Sequence, residues 1–185
     1  VRNINQLLNE LIPPSDYQHR NGFSNENIVH SLTDEEKPEV EQNLIQMLDK
    51  KDDELIGETL AIMKSTKSLP ILQKRLECAR NPTSKIFWAS YINEINGGSE
   101  EMKLIALNET DNVTEKYSQI GIFHQLAKFN DTRINEKIRN FINHKDYLIA
   151  YNARVSLGID TAELVNNERI RNETENKKWW EIWKN

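Results

Sequence analysis

Apolar residues in this chain come in short bursts at helical spacing, with polar and charged positions between them. Ile4, Leu7, Leu8, Leu11 and Ile12 share one face, which predicts a helix over 3–12 that Pro13-Pro14 ends. Residues 17–25 read as a loop around Gly22, and 26–32 as a short helix. Thr33-Asp34-Glu35-Glu36 matches a capping box and opens a helix carrying Val40, Leu44, Ile45, Met47 and Leu48. After the charged turn 49–53, Leu55, Ile56, Leu60, Ile62 and Met63 predict a second helix. Leu69, Leu72 and Leu76 mark the next one. Asn81-Pro82 then supplies an N-cap followed by proline at the first helical position, and Gly97-Gly98 stops the helix that runs to Ile95. Further helices are predicted over 100–108, over 113–129 with Ile120, Phe123 and Leu126 on one side, around Ile134, Ile138 and Phe141, and over 147–157 ahead of Gly158. A last one opens at Asp160-Thr161 and runs toward Trp183.

The bursts themselves recur. Met63, Ile95, Leu126 and Leu157 each close an amphipathic segment, at intervals of 32, 31 and 31 residues. Four positions before these anchors stand Thr59, Tyr91, Ile122 and Ala153; eight before stand Leu55, Phe87, Ser118 and Ile149. A unit of this length made of two short helices cannot bury its apolar face alone and gains stability by stacking on its neighbours. The predicted fold is therefore all-α, an α-α superhelix or short solenoid of about four helical-hairpin repeats. Residues 33–158 would hold the repeats, 1–32 an N-terminal cap and 159–185 a C-terminal capping helix, all in a single domain spanning 1–185.

Composition narrows the role without naming it. The chain has 185 residues, of which 37% are hydrophobic and 29% charged, a polar balance that suits thin helical layers with much surface. A net charge of −5 argues against a nucleic-acid binder, which ordinarily carries a clustered basic face. The densest local basic excess, Arg133, Lys137, Arg139 and Lys145, is modest. The single cysteine, Cys78, excludes an internal disulfide and a multi-cysteine metal site, and reads as a small buried thiol. No run is apolar enough to span a bilayer, and the cytoplasm is the expected compartment, although a start at Val1 leaves a removed leader open.

The string Ala153-Arg154-Val155-Ser156-Leu157-Gly158, echoed by Leu126-Ala127, resembles the second helix of a HEAT-like repeat, and 69–76 resembles a first helix of that family. The resemblance covers roughly residues 38–158; Thr59 and Tyr91 depart from the usual small residue, and the intra-repeat Asp and Arg pair is patchy. It implies that second helices line a concave face on which partners are held. The candidate partner-binding residues on those helices are Glu58, Trp88, Tyr117, His124, Tyr151 and Asn152.

Catalytic signatures do not emerge. His19, His30, His124 and His144 never fall at metal-ligand spacing, and there is no phosphate-binding glycine loop or nucleophile elbow. No cofactor and no metal is expected. The acidic turn with Asp49, Asp52, Asp53 and Glu54 reads as a solvated loop or an anchor for a basic partner. The leading expectation is a non-enzymatic protein-binding module, in its most concrete form a bacterial inhibitor or immunity-type protein acting on a basic, toxin-like partner. A HEAT-like DNA-processing enzyme using Trp88 and Glu58 is the enzymatic alternative. The third is a structural adaptor docking through Trp179, Trp180 and Trp183, a cluster that also fits a cap.

Overall fold

The computed structural model describes the backbone of residues 2–182 and the side chains of residues 2–174. Twelve α-helices and one 3-10 turn make up the regular structure, and no strand occurs among the described residues. The chain divides into two compact units, Val1–Asn112 and Val113–Asn185.

The first unit contains α1 (Ile4–Leu11), α2 (Tyr17–Arg20), α3 (Glu26–His30), α4 (Lys37–Lys50), α5 (Glu54–Ile62), α6 (Leu69–Cys78), α7 (Pro82–Ile95) and α8 (Glu100–Thr110). A 3-10 turn, Thr66–Ser68, precedes α6. Helix α5 packs on α7, α4 touches both α5 and α6, and α7 is sandwiched further by α6 and α8. Leu44, Leu48, Ile56, Leu60, Leu72, Ile86 and Trp88 form the dry centre.

One glycine makes that centre possible. A Cβ on Gly57, in the middle of α5, would collide with the Trp88 ring and sit 2.9 Å from Tyr91. Helix α5 therefore tolerates the loss of helix propensity at Gly57, on the order of 1 kcal/mol, because only a bare backbone lets the two rings of α7 lie against it. Trp88 and Tyr91 meet edge to face, with ring centres 5.7 Å apart, a favoured aromatic geometry.

Several polar residues buried in this unit fasten one segment to another. The capping box forms as its sequence suggests: Glu36 N–H donates to Thr33 Oγ1 at 3.2 Å and Thr33 N–H donates to Glu36 Oε2 at 3.0 Å. Arg2 then grips the same Glu36 carboxylate at 2.7 Å, and this contact with the guanidinium holds its pKa well below the usual carboxylate range. Asn25 donates to both Leu11 O and Thr59 Oγ1, the latter at 2.6 Å, so the threonine that breaks the small-residue pattern ties α1 and α3 to α5. Arg75 of α6 donates to the carbonyls of Leu48 and Asp49, satisfying the end of α4.

The acidic turn before α5 differs from the solvated loop that its composition suggests. Asp53 is buried, caps α5 through Leu55 N–H at 3.2 Å, and receives both terminal nitrogens of Arg20 at 2.7 and 2.9 Å. Burial pushes its pKa up, but Arg20 and Lys51 outweigh that and leave it lowered. Asp49 pairs with Lys74 at 2.9 Å. Asp53 serves the protein's own cation because α2, which composition reads as loop, is a turn of helix capped by Asp16 that brings Arg20 to the site.

The second unit contains α9 (Lys116–Ala127), α10 (Thr132–Arg139), α11 (Tyr147–Ser156) and α12 (Ala162–Ile182). Helix α9 packs on α10 and α11, and α11 also touches α12. Its core is Ile122, Phe123, Leu126, Phe129, Ile134, Ile138 and Ile149, with Ala150 and Ala153 supplying the close-fitting small positions of α11. The spacing predicts a helix from residue 113, but α9 starts at Lys116 because the Glu115 carboxylate caps it, accepting from Ser118 N–H at 2.8 Å. Gly158, at φ +66°, closes α11, and the N–H of Ile159 returns to Arg154 O at 2.9 Å, as in a Schellman stop. Arg154 donates to Ile142 O at 2.8 Å and to Asn143 Oδ1 at 2.9 Å, fixing the connection that leads into α11.

Two further expectations shift. Thr59, Tyr91, Ile122 and Ala153 are all buried, but of the anchors only Ile95 and Leu126 are; Met63 and Leu157 are C-caps, half open to solvent. Cys78 is exposed, because it is the last residue of α6 and the apolar face of that helix already closes at Leu76. The tryptophan cluster falls at the far end of the chain, where the side chains of Trp179 and Trp180, and all of Trp183, lie outside the described residues.

Candidate functional site

Each unit offers a face made by two packed helices. In the first unit it is the α5/α7 surface, where the helices start side by side. Ser84 Oγ donates to Glu54 Oε1 at 2.8 Å, latching the first turn of α7 to the first turn of α5. Glu58 of α5 and Glu94 of α7 both lie near enough to act on Tyr91, and Glu94 is bridged by Lys64 at 3.2 Å. Beneath them Tyr91 is buried, and its phenol is pushed well above its ordinary pKa, first by burial and then by Glu58, Glu54, Glu94 and Asp53. Four carboxylates thus project their field onto one rigid aromatic floor. Glu54 itself is raised by burial, against the Ser84 hydrogen bond, with Asp52, Asp53 and Glu58 adding like charge.

Trp88 sits in that floor and not on the surface. Only 1% of it is exposed, so its indole packs α5 to α7 and offers no area to a partner. Glu58, by contrast, is half-buried on α5 with its carboxylate among the group just described.

In the second unit the face belongs to α9 and α11. Lys116 Nζ and Asp146 Oδ2 lie 2.7 Å apart, joining the two helix starts, and Asp146 also caps α11 through Leu148 N–H at 3.0 Å. The pair favours both charged forms: hydrogen bonding to Lys116 lowers Asp146, and hydrogen bonding to Asp146 raises Lys116. Tyr117 is 70% exposed, and His124, seven residues on along α9, is exposed as well. Tyr151 is half-buried with its ring 5.7 Å from that of Tyr147. Asn152 donates to Leu148 O at 2.8 Å, so part of its amide is committed to its own helix. Leu148 and Val155 stand exposed on α11 beside it.

The structure therefore brings Tyr117, His124, Tyr151 and Asn152 onto one packed helix pair, and Glu58 and Trp88 onto another, with Trp88 inside it. Sequence reasoning named Glu54 as part of the acidic turn and passed over Ser84, Glu94 and Tyr147 as site residues. Tyr147 was findable, since it lies one helical turn before Tyr151. The Glu54–Ser84 latch joins residues 30 apart in sequence, and no local pattern signals it.

Charge separates the two units. Residues 1–112 hold twelve Lys and Arg against nineteen Asp and Glu, a net of −7; residues 113–185 hold twelve against ten, a net of +2. Among the described residues no group of three or more His, Cys, Asp or Glu side chains is arranged to hold a metal ion, and no helix is long and apolar enough to cross a membrane. No protein-family model, curated protein or solved structure matches the chain.

Proposed function

We propose that the chain is a short HEAT-like α-α superhelix that works as a non-enzymatic, protein-binding module on a basic partner, in the manner of a bacterial immunity or inhibitor protein. The observation that carries this reading is the cluster of Glu54, Glu58 and Glu94 over the rigid α5/α7 floor in a unit of net charge −7. A preorganised acidic face speeds encounter with a basic surface and rejects acidic ones. The pairing of α5 with α7 and of α9 with α11, and the burial of Thr59, Tyr91, Ile122 and Ala153, support the repeat register. Tyr117 and Tyr151 supply rigid contact area at low entropic cost. The exposed thiol of Cys78 suits a reducing compartment such as the cytoplasm.

The DNA-processing alternative loses its motivation at the same place. Trp88 has no exposed face to set against a base, and the carboxylates around Glu58 repel phosphate.

The test is affinity capture from the native host at low salt, followed by identification of what is retained. A basic protein should be captured, released as salt rises from about 50 to 300 mM, and lost with Glu58→Lys. Tyr151→Ala should weaken the same capture while the helical circular dichroism spectrum stays intact. Capture of an acidic protein, or capture indifferent to both substitutions, overturns the proposal.

A further inference from the structure

Position 63 is where the sequence pattern demands a buried anchor and the structure leaves an opening. Met63 and its neighbour Ile62 are half-exposed at the end of α5, and they floor a cleft of about 310 Å3 between α3, α4 and α5. Val29, Leu32 and Pro38 complete its apolar wall. The volume lies at the lower limit of small-molecule sites, which run from roughly 300 to 1,000 Å3. A short flexible tail fits such a space, and the flexible thioether of Met63 lets the floor adapt to it.

The rest of the lining is His30, Lys37 and Glu41, and their bonding decides which charge the cleft can receive. Glu41 is spent: one oxygen accepts from Ser65 Oγ at 2.6 Å and the other from Lys67 Nζ at 2.9 Å. Lys37 is held only by Asp34, at 3.1 Å, and the Asp34 side chain is 98% exposed. Such a surface pair contributes little and is readily exchanged. His30, the last residue of α3, is exposed and carries an N–H donor in either tautomer. The cleft thus pairs an apolar floor with one exchangeable ammonium and one imidazole donor.

We propose that this cleft binds a small monocarboxylate with an unbranched apolar tail, the carboxylate on Lys37 and His30 and the tail over Ile62 and Met63. The site is independent of the acidic α5/α7 face, so its failure leaves the reading of that face untouched.

The probe is sodium octanoate, titrated into the full chain in phosphate buffer and followed by amide chemical shifts. Resonances of residues 29–41 and 62–63 should move and saturate below about 5 mM, the weak affinity natural to a ligand of ten heavy atoms. Across butanoate, hexanoate and octanoate, affinity should rise by about two- to fourfold per methylene. Lys37→Glu should weaken octanoate by about tenfold, because attraction becomes repulsion at the same position. Met63→Trp should fill the cleft and abolish the shifts; a melting curve checks that this variant folds, and the chain-length series tests the tail with the wild-type protein alone. Octylamine should fail to saturate. The proposal is overturned by non-saturating shifts, by affinity that ignores chain length, by Lys37→Glu binding within twofold of wild type, or by octylamine binding as well as octanoate.

Discussion

The two units use the same means, paired helices with capped starts, and reach different surfaces. In residues 1–112 the α5/α7 contact is closed by a glycine lying under two large rings, and nearly every carboxylate near it is engaged by a cation, a hydroxyl or a helix N-terminus. In residues 113–185 α11, which packs on α9, buries Ala150 and Ala153, and large residues such as Tyr117, Leu148 and Val155 are left facing solvent. The first unit buries Trp88 and Tyr91 beneath its carboxylates, although Tyr17 of α2 stays 78% exposed. The second buries Phe123 and Phe129 but leaves Tyr117, Leu148 and Val155 exposed on α9 and α11. Burial, not residue type, separates the packed Trp88 from the exposed Tyr117.

The largest expected effect bears on the first interior. Trp88→Ala should cost about 3–5 kcal/mol in urea unfolding, and hydrogen exchange should show the loss in α5, α7 and α8. A loss under about 1 kcal/mol would contradict the packing of the indole on Gly57. Equal loss of protection in α9 and α11 would mean that the two units unfold as one. Gly57→Ala tests the same contact from the other side, and overpacking by one methyl should cost about 1–3 kcal/mol.

Next in size is the N-terminal fastening. Arg20→Ala leaves the buried Asp53 with only Lys51, and should cost about 1–3 kcal/mol by the same measurement. An effect near zero would leave Asn25, through Thr59, as the fastening of the N-terminal segment to α5.

A smaller effect distinguishes carboxylates by sign. Glu36, Asp53 and Asp131 have folded pKa values below their ordinary 4.5, 3.8 and 3.8. Their stabilisation is complete above those ordinary values and is lost as pH falls toward the folded ones. Glu54 is shifted the other way from 4.5, so its ionisation costs stability as pH rises through 4.5 to its folded value. Glu54→Gln should therefore gain stability at pH 7, by less than Arg20→Ala loses, and the gain should vanish near pH 4. A variant less stable than wild type at both values would contradict the burial of that carboxylate.

The smallest effect belongs to the second unit's display. Tyr117→Ser should alter stability by no more than about 0.5 kcal/mol, since most of the ring is in water. A cost above 1 kcal/mol would show that the ring is structural, and would erase the contrast with Trp88.

Most helices were legible because their signals are local. The capping box at Thr33–Glu36, Asn81-Pro82, and the stops at Pro13-Pro14 and Gly158 need only a few neighbouring residues, and all of them lie at helix boundaries. Side-chain destinations were less legible. Trp88 and Tyr117 both stand on long helices with mixed apolar faces, and Gly57 on the helix facing α7, 31 residues from Trp88, makes the room that lets Trp88 go inward. The turn at Asp53 misled because its partner, Arg20, comes from a helix too short to show periodicity. Glu58 was found by position on its helix and Glu54 by its place in the acidic turn, but Ser84 and Glu94 required tertiary contact to appear.

Cys78 ends α6 with its sulfur accessible, and the chain has no second cysteine. A maleimide dye or a resin linker will therefore attach at one place on every molecule, without mutagenesis. Immobilised this way, each copy presents the same orientation to whatever flows past, and two copies left in air can couple only through that one sulfur, giving a dimer of fixed stoichiometry.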